Sequence, residues 1–121
     1  MRKIKFQIAA LTMAILVCTS IVHATAVGGQ RQDTGRIFAH STQPYTPILF
    51  RGGEVARVAV IGDGTTDLDL YIYDEYGNLV AMDEDNTDHC VATWFPSRTG
   101  WFTIKIVNRG SVYNDYAMAT N

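Results

Sequence analysis

The residues best suited to chemistry lie between Asp67 and Pro96. There Asp67, Asp69, Asp83, Asp85, Asn86 and Asp88 gather oxygen-bearing side chains around one hairpin. Residues 67–74 alternate strictly, with Leu68, Leu70 and Ile72 on one face and Asp67, Asp69, Tyr71 and Tyr73 on the other, as a half-buried strand does. Asp74 to Asn78 reads as a tight reversal with Gly77 at its φ > 0 position. Asn78 to Met82 returns as a second strand, with Leu79 and Ala81 expected inward. Setting Asp74 opposite Asn78 places Asp69 opposite Asp83 and Asp67 opposite Asp85. A slip of one residue still leaves the carboxylates at the open end, with Glu84 beside them.

Like charges facing each other destabilise a sheet, and no Lys or Arg occurs between Arg57 and Arg98 to offset them. Three outcomes follow: raised carboxylate pKa values, a distant Arg folding in, or a bound hard cation. Calcium is the natural ion, since it takes about six to eight oxygen ligands. The competing reading is an acidic, solvated surface. The EF-hand pattern is absent, and the glycines and aspartates of 62–70 (GDGTTDLDL) fall out of phase with the calcium-binding nonapeptide.

Nucleophilic chemistry finds less support. Beyond the leader described below, the histidines are His40 and His89. His89 and Cys90 are neighbours in one alternating run, so their side chains point to opposite faces. Ser41, Ser97 and Ser111 lie in turns without a nucleophile-elbow context. The two histidines lie too far apart for the usual zinc spacing. The expectation is a protein that is not an enzyme. Tyr71, Tyr73 and Trp101, all on outer strand faces, form the expected binding surface.

These side chains must be held by a small all-β scaffold. Arg2, Lys3 and Lys5, the apolar run Ile8 to Val22 and Ala24-Thr25-Ala26 together read as a signal peptide over residues 1–26. Secretion or a periplasmic location follows; an uncleaved anchor is the rival reading. Val17 departs from the small residue that a lipidated Cys18 would want before it. About 95 residues remain, one domain's worth, carrying seven basic against twelve acidic side chains, a net charge of −5. That balance offers no footprint for nucleic acid or an anionic membrane. Cys90 then stands alone, either a buried packing residue or the link of a disulfide dimer.

Residues 27–33 carry no periodicity and are expected to be flexible. Strands are expected over 34–40, 48–51, 54–61, 67–74, 78–82, 89–95, 100–107 and 112–120, with turns at the Gly, Pro and Asn clusters between them. Within them Ala56, Val58 and Val60, then Phe102, Ile104 and Ile106, then Tyr116 and Met118 should face the core. About eight short strands in two antiparallel sheets, a single jelly-roll-like β-sandwich, is the expected fold.

The hairpin Asp67 to Leu79, the Trp94-Phe95-Pro96 strand end, the Gly100 to Ile106 strand and the closing Tyr113 to Met118 together resemble the bacterial pre-peptidase C-terminal (PPC) domain, over residues 34–121. The resemblance implies a β-sandwich without catalysis of its own. It departs from the usual family setting in that no peptidase precedes it. The expectation is therefore a calcium-stabilised module that binds an extracellular protein or polysaccharide or assists a secreted enzyme. A small secreted enzyme or inhibitor, or an envelope structural protein without metal, is the alternative. A cleft lined by His40, His89 and carboxylates would favour the enzyme; a flat aromatic face would favour the module.

Overall fold

A computed structural model of the protein describes residues 26–121; the leader read over 1–26, with Cys18, lies outside them but for Ala26. Nine strands form: β1 Arg31–Ile37, β2 Thr42–Pro44, β3 Ile48–Phe50, β4 Ala56–Ile61, β5 Leu68–Asp74, β6 Leu79–Asp83, β7 His89–Trp94, β8 Gly100–Asn108 and β9 Asn114–Thr120. They build two antiparallel sheets, one ordered β1-β9-β4-β7, the other β2-β8-β5-β6 with β3 also on β8. The protein is an all-β sandwich.

The count exceeds the expected eight because the edge beside β8 is interrupted. Both β2 and β3 pair with β8, and their registers differ by one residue. That irregularity at 45–47, bracketed by Pro44 and Pro47, lets Tyr45 turn into the core, where its hydroxyl meets that of Tyr116 at 2.6 Å. The first strand starts at Arg31 and ends at Ile37, not 34–40, so residues 31–33 of the stretch read as aperiodic pair with β9.

The alternating residues fill the space between the sheets. Leu68, Leu70, Ile72, Ile104 and Ile106 from one sheet meet Ala56, Val58, Val60, Tyr116 and Met118 from the other, all buried. At one end Phe50, Trp94 and Phe102 form an aromatic trio with centroids 5.0 to 5.9 Å apart, Phe50 meeting the other two edge-on. Edge-to-face packing of this kind adds to the burial of large apolar surface.

Cys90 is buried on the β7 face that meets the core, its Sγ 3.1 Å from the Leu68 carbonyl oxygen. Burial pushes its thiol pKa well above the usual range. A buried, protonated thiol cannot reach a second chain, so the Cys90-linked dimer is not supported and the packing role holds.

The hairpin register differs from the expected one. Tyr73 pairs with Leu79 but Ile72 pairs with Ala81, so Val80 is an extra, bulged residue on the edge strand β6. The bulge turns Leu79 outward while Ala81 packs on the core, so the two are not an inward pair. It also sets Asp83 opposite Leu70 instead of Asp69. The turn itself is as read: Gly77 has φ 84°, and Asp74 N–H donates to the Asn78 carbonyl at 2.9 Å.

Candidate functional site

Strand directions divide the sandwich into two ends. The loops after β4, β6 and β8 meet at one end, which carries the carboxylates. The turns after β3, β5 and β7 meet at the other, which carries exposed aromatic rings.

At the carboxylate end, most of the acidic side chains have separate partners. Asp69, on an outer strand face, is nonetheless buried, because Arg109 Nε donates to its Oδ2 at 2.7 Å. Arg109 Nη2 also donates to the Tyr71 hydroxyl at 2.8 Å, and that hydroxyl donates in turn to Glu84. Burial, with the Glu84 bond adding to it, pushes the Tyr71 phenol up to about 12. Its pairing with Asp69 and Tyr71 raises the guanidinium pKa further, so the cation is permanent.

Asp83 Oδ2 accepts the Val91 N–H of β7 at 2.9 Å, joining the edges of the two sheets. Asp85 Oδ1 accepts the backbone N–H and hydroxyl of Thr87, which holds its carboxyl below the usual range. Asp88 is buried, its Oδ2 accepting Gly64 N–H at 2.7 Å and Asn114 Nδ2 at 3.0 Å. Asn86 is exposed in the same turn. Asp67 has its pKa raised, first by burial and then by the charges of Asp69 and Asp85.

Of the three outcomes open to such a cluster, the fold therefore realises two, a raised carboxylate and a distant Arg. Among the described residues no three or more His, Cys, Asp or Glu side chains converge as a metal-holding group. Two buried oxygens at this end, Asp67 Oδ1 and Asp69 Oδ1, have no partner, short of calcium's about six to eight. The six residues do not form a ready-made calcium shell.

The expected aromatic surface is divided as well. Tyr71 is taken up by the Arg109 network. Tyr73 lies under Lys105, whose Nζ sits 5.0 Å from the ring centroid. Tyr73 and Lys105 line a cleft of about 450 Å³ together with Trp101. On its other side Trp101 lines a second cleft, of about 540 Å³, shared with Tyr76, Phe95 and Arg98. Asp74, Glu75 and Trp101 belong to both clefts, so the two adjoin along that line. The lining of the second cleft includes Trp94 and Phe102, two members of the buried aromatic trio.

Close backbone approach holds the second cleft in shape. Gly52 N–H donates to Thr99 Oγ1 at 3.1 Å and Gly53 N–H to the Pro96 carbonyl at 2.8 Å. A Cβ on Gly52 would run into the Arg98 backbone, so only glycine lets these turns pack together. On the β5–β6 side, Asp74 Oδ1 accepts the N–H groups of Tyr76 and Asn78, which holds its carboxyl low and fixes the turn.

Tyr76 and Phe95 were absent from the expected surface. Phe95 falls on the outward side of the 89–95 alternation and was legible there; Tyr76 sits inside a turn, where alternation says nothing. Neither cleft contains a histidine or a cysteine. His40 is exposed in the β1–β2 loop, and His89 stands beside Asp88 at 3.7 Å at the carboxylate end.

Neither a protein-family model nor a curated relative matches the sequence. Solved structures do resemble the fold. The pre-peptidase C-terminal domain of collagenase from Bacillus anthracis superposes with a TM-score of 0.65 at 14% identity, over 76% of this chain and 89% of that one. The protein thus has a PPC-like fold. The mitogen derived from Yersinia pseudotuberculosis matches at 0.48 and 16% identity, over 77% of this chain and 85% of that one. A carbohydrate-binding module of a Cellvibrio mixtus lichenase, in complex with cellotriose, matches at 0.45 and 14% identity, over 83% and 90%. At those scores the assignment rests on the first. No helix among the described residues is long and apolar enough to cross a membrane.

Proposed function

We propose that the chain is a secreted or periplasmic, non-catalytic, PPC-like binding module. Its working surface is the aromatic end of the sandwich, and its partner is an extracellular polymer, met alone or beside a secreted enzyme. The observation that carries this reading is the pair of adjoining clefts walled by Trp101. They expose aromatic rings and hold no histidine or cysteine. Exposed aromatic clusters on a rigid scaffold are characteristic of binding surfaces. The basic-apolar leader supports export.

Calcium enters the proposal only as a stabiliser. Asp67 Oδ1 and Asp69 Oδ1, buried and without a partner, would be its first ligands, with exposed oxygens of the same end and water completing the shell.

Co-sedimentation with insoluble cellulose, chitin and collagen fibrils tests the reading. The domain should pellet with at least one of them, and Trp101→Ala should stay in solution. Equal sedimentation of the two proteins would sink the proposed surface.

A further inference from the structure

We infer that the groove around Trp101 takes an uncharged polysaccharide, seating successive sugar rings against its aromatic side chains. The inference rests on the reading of this end as the binding surface and adds the chemical class of the ligand.

Ring exposure is the first ground. Tyr76, Phe95 and Trp101 are 71%, 63% and 49% exposed, all at the turns of one end. Three rings so exposed and lining one groove offer an apolar surface that a ligand can cover. A pyranose offers one flat C–H face, with hydroxyls around its edge. The groove supplies partners for those hydroxyls as well: Glu75, Ser97, Arg98 and Thr99 in one cleft, Thr103 and Lys105 in the other. Donors and acceptors are both present, as a hydroxyl requires.

Charge is the second ground. The groove holds two carboxylates, Asp74 and Glu75, against two cations, Arg98 and Lys105. It is balanced, although the chain beyond its leader carries a net −5. A strongly acidic or basic polymer would find no complementary field there.

Backbone availability is the third. An extended peptide usually docks by adding to a free strand edge. Strand β8, which carries Trp101, is paired on both sides, and so is β5. Two strand edges border the groove: β6, broken by the bulge at Val80, and β7, where Asp83 Oδ2 already takes the Val91 N–H. Recognition in the groove therefore belongs to side chains. Each cleft, at about 540 and 450 Å³, is of ligand-binding size. Their common wall at Trp101 lets a linear chain pass from one to the other.

The two tryptophans of the chain supply the readout, since Trp94 is 8% exposed and Trp101 49%. Acrylamide quenching therefore reports on Trp101. The mature protein is titrated with cellohexaose, chitohexaose and mannohexaose, and in parallel with hexagalacturonate and a collagen-like peptide. At least one neutral hexaose should shield Trp101, unaffected by added salt, with about tenfold weaker binding in Phe95→Ala. Shielding by the acidic oligomer or the peptide alone, still weakened by Phe95→Ala, would overturn the uncharged-polysaccharide class and leave the groove standing. No shielding by any probe, or shielding indifferent to Phe95→Ala, would overturn both.

Discussion

Arg109 Nε lies 2.7 Å from Asp69 Oδ2, although 40 positions separate the two residues in the chain. The loop after β8 thus carries a permanent cation into the carboxylate end of the sandwich. Replacing it by alanine leaves Asp69, whose side chain is only 8% exposed, without its cationic partner. The expected cost is about 1–3 kcal/mol; because Arg109 is half exposed, solvent screening favours the lower part of that range. The same variant should respond more strongly to calcium. Millimolar calcium should raise the melting temperature modestly in the wild type and clearly more in Arg109→Ala, by binding only the folded state. Equal calcium shifts in the two proteins would show that Arg109 does not stand in for a cation.

Asp67 has its pKa shifted in the opposite direction from that of Asp85. Its folded pKa is raised, so the folded state binds its proton more tightly than the unfolded chain does. Its contribution is fully present below the unfolded carboxylate value, about 3.9, and is lost as pH rises through the folded value. Asp67→Asn should therefore raise the melting temperature near pH 7 and change little near pH 3. Asp74, Asp85 and Asp115 have lowered pKa values, so their stabilisation is lost as pH falls through their folded values. Thermal melts of wild type and Asp67→Asn across pH 3–8 would settle the sign. A gain from Asp67→Asn as large at pH 3 as at pH 7 would contradict it.

Much of this architecture was legible because alternation survives wherever a strand has one wet and one dry face. Leu68, Leu70 and Ile72 on β5, and Phe102, Ile104 and Ile106 on β8, face inward as read. The turn at Gly77 was legible for the same local reason. The bulge at Val80 was not: on an edge strand no second neighbour enforces register, and an extra residue leaves no mark in the pattern. Asp69 with Arg109, and Tyr76 with Phe95, are pairs made by strand order. β6 and β7 lie in different sheets, so their turns meet only once the sandwich is assembled. The acidic cluster read as one site because its residues are close in sequence. In the fold Asp69, Asp83, Asp85 and Asp88 are each aimed at a different donor, and Asp67 at none.

Cys90 gives a direct probe of that assembly. Buried beside Leu68, it should react with Ellman's reagent only as the domain unfolds, and the protein should run as a monomer on a non-reducing gel. Rapid labelling of the native protein, or a reducible dimer, would contradict the placement of β7.

Gly52 tests how the aromatic groove is held. Gly52→Ala forces a Cβ into the Arg98 backbone, and the 95–99 turn has to move. The expected result is a loss of about 1–3 kcal/mol of stability and weakened binding at the Phe95 side. Unchanged stability would mean that the two turns do not pack as described.

The claim that Trp101 and its neighbours form the working surface is tested most directly by an amide chemical-shift map. Isotope-labelled mature protein is titrated in turn with cellohexaose, chitohexaose and a collagen-like peptide. The account predicts shifts concentrated in residues 74–80 and 93–105, with the 84–88 and 109–113 loops quiet. Shifts centred on Asp67, Asp69 and Arg109 instead, or no shift with any of the three, would contradict it.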